Sequence, residues 1–163
     1  MSEVDRLLEN NADYAAQFDK GDLPMPPGRR VAVVACMDAR LDVYRMLGLA
    51  EGDAHVIRNA GGVVTEDVIR SLAISQRLLG TREIVLIHHT DCGMLTFGDD
   101  EVKAAMEADT GLRPPFALES FDDPYADVRQ SLRRIETSPF VPHRDAVRGF
   151  VFDVASGRLE PVE

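Results

Sequence analysis

The sequence lacks any run of apolar residues close to the roughly 20 that a membrane-spanning helix needs. Basic residues are also scarce, since 18 Lys and Arg stand against 28 Asp and Glu and give a formal net charge of -10. A chain with so little positive charge offers no basic surface that could neutralise the phosphates of a nucleic acid. We therefore expect neither a membrane nor a nucleic acid among its partners.

Cysteine is scarce as well, with two residues in a chain of 163. Residues 1–10 show no cationic stretch followed by an apolar core, so we expect no secretory signal and a cytoplasmic location. In that reducing compartment, metal binding or catalysis explains two cysteines better than a disulfide does. Two alternatives stay open at this point: Cys36 as a small buried apolar residue, and Cys36 and Cys92 as a disulfide.

Strand-like and helix-like segments alternate along the chain. Residues 31–36 form a continuous apolar run typical of a buried parallel strand, and residues 54–58 and 84–88 predict two more strands. The clearest helix is predicted over residues 65–79, with Thr65 as its cap. The other predicted elements are helical segments within residues 2–18, 41–47, 99–108 and 125–135, and a late strand and hairpin from residue 149. This order predicts an α/β fold with a mostly parallel central sheet flanked by helices, in a single domain over residues 1–163 with residues 1–30 as a peripheral arm.

Polar or glycine-rich segments follow each of the three predicted parallel strands. Cys36 ends the first strand, a glycine loop at residues 59–62 follows the second, and His89 and Cys92 follow the third. Since ligands bind outside the carboxyl ends of such strands, we expect these segments to converge. Two thiolates and one imidazole make a tetrahedral zinc set with one open position, as a catalytic site requires. Zinc is preferred over an iron–sulfur cluster because such clusters normally need more cysteines.

The four histidines are not equivalent candidates for this metal site. His88 and His89 are adjacent, so on a strand they point to opposite faces and only one can reach the site. His89 is the predicted ligand because the His-x-x-Cys spacing brings it together with Cys92 across a turn. We expect His88 to be packed or hydrogen-bonded, and His55 and His143 to be structural.

Asp38 and Arg40 follow the first cysteine at intervals of two residues. A carboxylate beside a zinc-bound hydroxide can accept its proton, orient it or bind the metal, and an arginine fork can hold that carboxylate ionised and off the metal. The alternative is an ordinary acidic residue at a helix start and a surface arginine. Because two thiolates cancel the charge of the zinc ion, we expect a raised pKa for bound water and an alkaline activity optimum.

The segment Cys36-Met-Asp-Ala-Arg40, followed by His89-Thr-Asp-Cys-Gly93, resembles the β-class carbonic anhydrases, whose signature is Cys-x-Asp-x-Arg and then His-x-x-Cys. Residues 56–61 and 149–157 are similar to the same family, so the likeness covers about residues 31–159.

The resemblance implies a β-carbonic-anhydrase-like fold and a lyase that converts carbon dioxide reversibly into bicarbonate and a proton. It implies one Zn²⁺ per subunit, bound by Cys36, His89 and Cys92, and a zinc-bound hydroxide oriented by Asp38 and Arg40. It further implies Asp38 as a fourth ligand in a closed state, and a homodimer or dimer-based oligomer. Gly61 is expected to line the substrate pocket.

Other functions compete with this interpretation. The resemblance extends to enzymes that hydrolyse carbon disulfide or carbonyl sulfide with the same ligands. A non-catalytic zinc-binding regulatory protein, with Asp38 as permanent fourth ligand, is a second alternative. A redox role is disfavoured because the cysteines do not form a Cys-x-x-Cys motif, and a nucleotide site at residues 59–62 is disfavoured because the loop lacks a full glycine fingerprint.

Overall fold

A single five-stranded sheet organises the chain, with the strands in the order β2-β1-β3-β4-β5. The computed structural model describes residues 1–163. The strands are β1 (Val31–Cys36), β2 (Ala54–Asn59), β3 (Glu83–His89), β4 (Val147–Phe152) and β5 (Leu159–Val162). The first four strands run parallel to one another, and β5 pairs with β4 in the antiparallel sense. The predicted mostly parallel sheet and late edge strand are therefore confirmed.

Five helices connect or flank these strands: α1 (Glu3–Ala16), α2 (Val43–Leu47), α3 (Glu66–Arg77), α4 (Asp99–Thr110) and α5 (Pro124–Glu136). Helix α3 begins where the sequence predicts, because the Thr65 side chain accepts a hydrogen bond from the Val68 N–H and two acidic residues occupy the first turn. None of the helices combines the length and the apolar character that crossing a membrane demands.

Two buried clusters lie on opposite faces of the sheet because side chains alternate along each strand. Ala32 and Val34 of β1 join one cluster with α3 and α5, while Val33 and Ala35 join the other with the start of α2. Cys36 and Cys92 belong to the second cluster. The two cysteines are therefore built into an apolar layer, out of contact with bulk water.

Helix α1 is attached to the rest of the chain mainly at its end. It contains no buried residue, and its apolar side chains Val4, Leu7, Leu8 and Tyr14 are exposed, as is Phe18 just beyond it. The Tyr14 hydroxyl and the Lys20 ammonium both donate to the Glu51 carboxylate. The predicted peripheral helical segment is thus one helix, and its apolar face is uncovered.

Candidate metal centre

Cys36, His89 and Cys92 come together where β1 and β3 end. The two sulfur atoms are 4.0 Å apart, and the ligand atoms of all three residues lie within 4.8 Å of one another. In a tetrahedral site with Zn–S bonds of about 2.3 Å, two sulfur atoms are about 3.8 Å apart. Both cysteines are free, and 4.0 Å is far beyond the S–S bond length of about 2.05 Å, so the disulfide alternative is wrong.

The imidazole of His89 is oriented for a metal. Its Nδ1 lies 2.8 Å from the carbonyl oxygen of Thr90, so Nδ1 must carry the proton that it donates. The other nitrogen, Nε2, is buried and has no hydrogen-bond partner. A buried nitrogen lone pair without a donor is costly unless a metal uses it. The donor set therefore fits zinc in both geometry and chemistry.

The cysteine pair is poised to supply a thiolate. The contact with the Cys92 thiol lowers the pKa of Cys36 below its usual range, against the opposing effect of burial. The same contact, together with burial, raises the pKa of Cys92. Thiolate is the form of cysteine that binds metals, so the pair can provide a thiolate to a metal.

The Asp38 carboxylate lies beside the three ligands and is held by Arg40. Arg40 donates from Nε to Oδ1 over 2.9 Å and from Nη2 to Oδ2 over 2.8 Å, and its backbone N–H donates to Oδ1 over 2.9 Å. These bonds hold the pKa of Asp38 well below its usual range. Oδ2 of Asp38 is 3.7 Å from Nε2 of His89. The structure thus brings both residues to the three candidate ligands, with the carboxylate ionised.

Arg58 binds the backbone of the segment that contains Cys36 and Asp38, a contact that the sequence did not reveal. Its guanidinium donates twice to the carbonyl oxygen of Cys36, over 2.9 and 2.7 Å, and once to that of Asp38, over 2.7 Å. The signal that could have identified Arg58 is its position directly before the glycine loop, at the carboxyl end of β2.

A second contact that the sequence did not reveal joins Arg40 to Asp91. Its Nη1 donates to Oδ2 of Asp91 over 2.7 Å, and its Nη2 donates to the Asp91 carbonyl oxygen over 2.8 Å. Asp91 lies between the ligands His89 and Cys92, which was the available signal.

The glycine loop packs tightly against the site. Gly61 is buried, and a Cβ there would lie 3.1 Å from both Met94 and Phe121. At Gly62 a Cβ would lie 2.8 Å from the backbone nitrogen of Cys36. Gly61 therefore borders an apolar wall formed by Met94 and Phe121, and Phe121 is a residue that the sequence did not indicate.

The remaining histidines do not join the Cys–His–Cys group. His88 is fully buried and its Nε2 lies 2.7 Å from Oδ2 of Asp127, as expected for a hydrogen-bonded residue on the opposite face of β3. Nδ1 of His55 is 2.7 Å from the Ser75 hydroxyl. His143 contacts Arg82.

Comparison with known proteins places this arrangement in a family. The carbonic anhydrase family model matches residues 31–114. The chain is 67% identical over 162 residues to β-carbonic anhydrase 1 of Mycobacterium tuberculosis, covering 99% of each protein. It is 34% identical to a carbon disulfide hydrolase of Acidianus, covering 96% of this chain and 87% of that one. The crystal structure of a carbonic anhydrase from Streptococcus mutans superposes with a TM-score of 0.93 at 43% identity, covering 100% of this chain and 99% of the other. With its Cys–His–Cys group, parallel sheet and full-length similarity, this chain belongs to the β-carbonic anhydrase family.

Proposed function

We propose that this chain is a zinc-dependent carbonic anhydrase, a lyase that hydrates carbon dioxide reversibly to bicarbonate and a proton. Cys36, His89 and Cys92 would hold one Zn²⁺ per subunit. The observation that carries the proposal is the buried Nε2 of His89, which has no hydrogen-bond partner and lies beside two cysteine sulfurs. The relative from Mycobacterium tuberculosis, named a β-carbonic anhydrase, supports the same activity.

When bound, the zinc ion would supply a Lewis acid that makes water easier to ionise than it is in bulk solvent. The chain's own residues prepare the rest of the reaction. Asp38 is kept as a carboxylate by Arg40, and its Oδ2 lies toward the ligands, where it can accept a hydrogen bond from the reacting water and so orient it. We assign Asp38 and Arg40 this role.

The substrate is small and apolar, and an apolar surface borders the site. Met94 is buried, Phe121 is partly buried, and both contact the position of Gly61. The Phe121 N–H donates to the Met94 carbonyl oxygen over 3.3 Å, which ties the two residues together. We propose that Gly61 and this wall line the carbon dioxide pocket.

Stopped-flow hydration of carbon dioxide by the zinc-loaded protein tests this function, at about pH 7 and about pH 9 to bracket the expected ionisation. We expect activity that rises toward the higher pH, because two thiolates offset the charge of the metal and raise the pKa of its water. A flat profile across neutrality would contradict that reasoning. No hydration at either pH would overturn the proposed function.

Carbon disulfide hydrolysis is the second candidate, because hydrolases of this name are relatives at 34% identity. The 67% identity to a carbonic anhydrase favours carbon dioxide. Release of hydrogen sulfide from carbon disulfide, measured on the same zinc-loaded protein, separates the two. The closed regulatory site is disfavoured because Arg40 makes three hydrogen bonds to the Asp38 carboxylate.

We further propose a homodimer in which α1 of one subunit packs on the other. The exposed apolar side chains of α1 need a partner surface. A cavity of about 810 Å³ between α3 and the end of α5 offers one, with apolar side chains that include Ile69, Ile74 and Phe140. The cavity also presents three arginines and two glutamates, a net charge of +1: Arg70, Arg77, Arg134, Glu66 and Glu119. Helix α1 carries four carboxylates and Arg6, a net charge of -3. The net charges of the two surfaces therefore have opposite signs.

Light scattering after gel filtration tests the dimer. We expect Leu8→Asp in α1 and Ile74→Asp in the cavity to shift the protein toward monomer. The matched control Leu112→Asp, at another exposed apolar position, should leave the molar mass unchanged. A monomeric unsubstituted protein would refute the proposal.

We propose a cytoplasmic location for the enzyme, because Cys36 and Cys92 are free thiols that a reducing compartment preserves.

We also propose that residues 1–163 act as one domain with residues 1–30 as its peripheral arm, since α1 contributes no residue to the core. Limited proteolysis that releases a fragment starting near residue 30, with the site intact, would support this division; cleavage within the sheet would contradict it.

A further inference from the structure

The guanidinium of Arg40 is bound on two sides. Nε and Nη2 face the Asp38 carboxylate, while Nη1 and the second N–H of Nη2 face Asp91. Four of the five N–H bonds of the group are therefore used, in one plane. Arg40 is nevertheless about half exposed, with a side-chain exposure of 47%. A long side chain at such a position is mobile unless its head group is fixed from more than one direction.

Asp91 is placed for this contact by its backbone. It adopts a φ of 54°, in the left-handed region that few residues other than glycine, asparagine and aspartate occupy readily. It also lies in the turn between the ligands His89 and Cys92. Through Asp91, the turn that supplies two ligands is linked to the segment that supplies Cys36 and Asp38.

We propose that Asp91 is a positioning residue that fixes Arg40 and thereby holds the Asp38 carboxylate beside the metal and off it. The inference rests on the proposed function of Asp38. Oδ2 of Asp38 is 3.7 Å from Nε2 of His89, so a rotation of the carboxylate would direct it at the place where the Cys–His–Cys group would hold a metal. The fork of Arg40 opposes that rotation only while the guanidinium keeps its orientation, and Asp91 supplies the two contacts that keep it.

An ordinary surface ion pair is the competing explanation, since the Asp91 side chain is 78% exposed. Exposed pairs contribute little to stability. The two explanations differ in what they predict. A surface pair affects neither metal coordination nor turnover, whereas a residue that orients Arg40 affects both without loosening the metal.

The test uses full-length protein and two substitutions. Asp91→Gly removes the carboxylate and suits the positive φ, and Asp91→Asn keeps an acceptor oxygen without the charge. The matched control is Asp100→Asn, which breaks an exposed aspartate–arginine pair with Arg113 away from the metal ligands. Three measurements are made on each: zinc affinity by chelator competition, the visible spectrum of the cobalt-substituted protein, and the kcat of carbon dioxide hydration.

We expect Asp91→Gly to lower kcat about tenfold and Asp91→Asn about threefold, with zinc affinity within about threefold of the unsubstituted protein. The cobalt spectrum of Asp91→Gly should change as Asp38 gains access to the metal, whereas that of Asp100→Asn should not. In an Arg40→Ala background, Asp91→Gly should have no further effect, because both substitutions remove the same restraint.

An unchanged cobalt spectrum together with unchanged kcat would overturn the inference. A large loss of zinc affinity would also overturn it, because Asp91 would then stabilise the ligand turn itself. If the unsubstituted protein does not hydrate carbon dioxide, the proposed function fails, but the cobalt spectra of Asp91→Gly and Asp100→Asn still decide whether Asp91 controls coordination.

Discussion

Among residues that are not themselves proposed ligands, Gly62 is the one whose substitution should disturb the metal centre most directly. Its φ is 72°, and an added Cβ would lie 2.8 Å from the nitrogen of Cys36, 2.9 Å from the carbonyl oxygen of Ile87 and 3.0 Å from the carbonyl carbon of Ala35. All three neighbours are backbone atoms of β1 and β3. Backbone inside a paired sheet cannot move aside as a flexible side chain can, so the strands themselves must separate.

The expected cost of Gly62→Ala has two parts. The left-handed conformation costs an alanine about 1–2 kcal/mol, and overpacking against the core costs about 1–3 kcal/mol more. Gly80→Ala is the matched control, because Gly80 has a φ of 76° with no atom within 4 Å of an added Cβ. It should show the conformational cost alone.

Urea denaturation at one fixed protein concentration measures both variants. We expect the free energy of unfolding of Gly62→Ala to be lower than that of Gly80→Ala by about 1–3 kcal/mol, or about 2–12 °C in Tm for a chain of this size. Zinc affinity should also fall for Gly62→Ala, because the displaced atom belongs to Cys36, one of the proposed ligands. Equal destabilisation of the two variants would refute the idea that the contact with β1 and β3 matters.

Three further predictions concern buried or partly buried charges and the metal. Asp127→Ala should lower the free energy of unfolding by about 2–3 kcal/mol in urea, because it leaves the fully buried His88 without its partner; a loss below about 0.5 kcal/mol would contradict this role. Burial raises the pKa of Asp99, but hydrogen bonds from Ser120 and from the neighbouring backbone N–H groups outweigh it and lower that pKa from 3.8 to about 2. Since the pKa is lower in the folded state, the stabilisation is present above about pH 4 and is lost as the pH falls toward 2. On acidification, the free energy of unfolding should therefore fall by about 1 kcal/mol less in Asp99→Asn than in the unsubstituted protein. Identical pH curves of the two proteins would refute this role of Asp99. Removal of zinc by a chelator should lower Tm reversibly, by an amount that corresponds to about 4 kcal/mol at a free zinc concentration 1,000 times Kd; a Tm independent of zinc would argue against the site.

The positions of the three residues proposed as zinc ligands could be predicted because they follow simple local patterns. Residues 31–36 are continuously apolar, so β1 and its carboxyl end could be located from sequence alone. In a parallel sheet that end is where neighbouring strands also finish, which brings Cys36 to His89 at the end of β3 and to Cys92 just after it. Helical spacing located α3 in the same way, within two residues at its end.

The residues that support the ligands could not be predicted, because their contacts depend on tertiary packing. Arg58 reaches the carbonyl of Cys36 across 22 residues of sequence, and His88 reaches Asp127 across 39. An arginine can reach many carbonyl groups, and nothing local to Arg58 selects one.

Phe121 is a similar case, since it lies in an irregular loop. Three backbone N–H groups, of Leu118, Glu119 and Ser120, bind the Asp99 carboxylate and set the course of that loop. Glu119 adopts a φ of 63° at this point. No local sequence pattern predicts this loop conformation.

Cys36 and Cys92 are separated by 56 residues, although their sulfur atoms are in contact. Closing a flexible loop of that length costs an unfolded chain about 3.6 kcal/mol of entropy plus a constant. An unfolded chain can therefore offer zinc only the local His89–Cys92 pair, while the complete triad exists after β1 and β3 have paired. Formation of the sheet should thus precede full metal loading during biogenesis, and the captured ion then acts as a cross-link that slows the separation of these two strands.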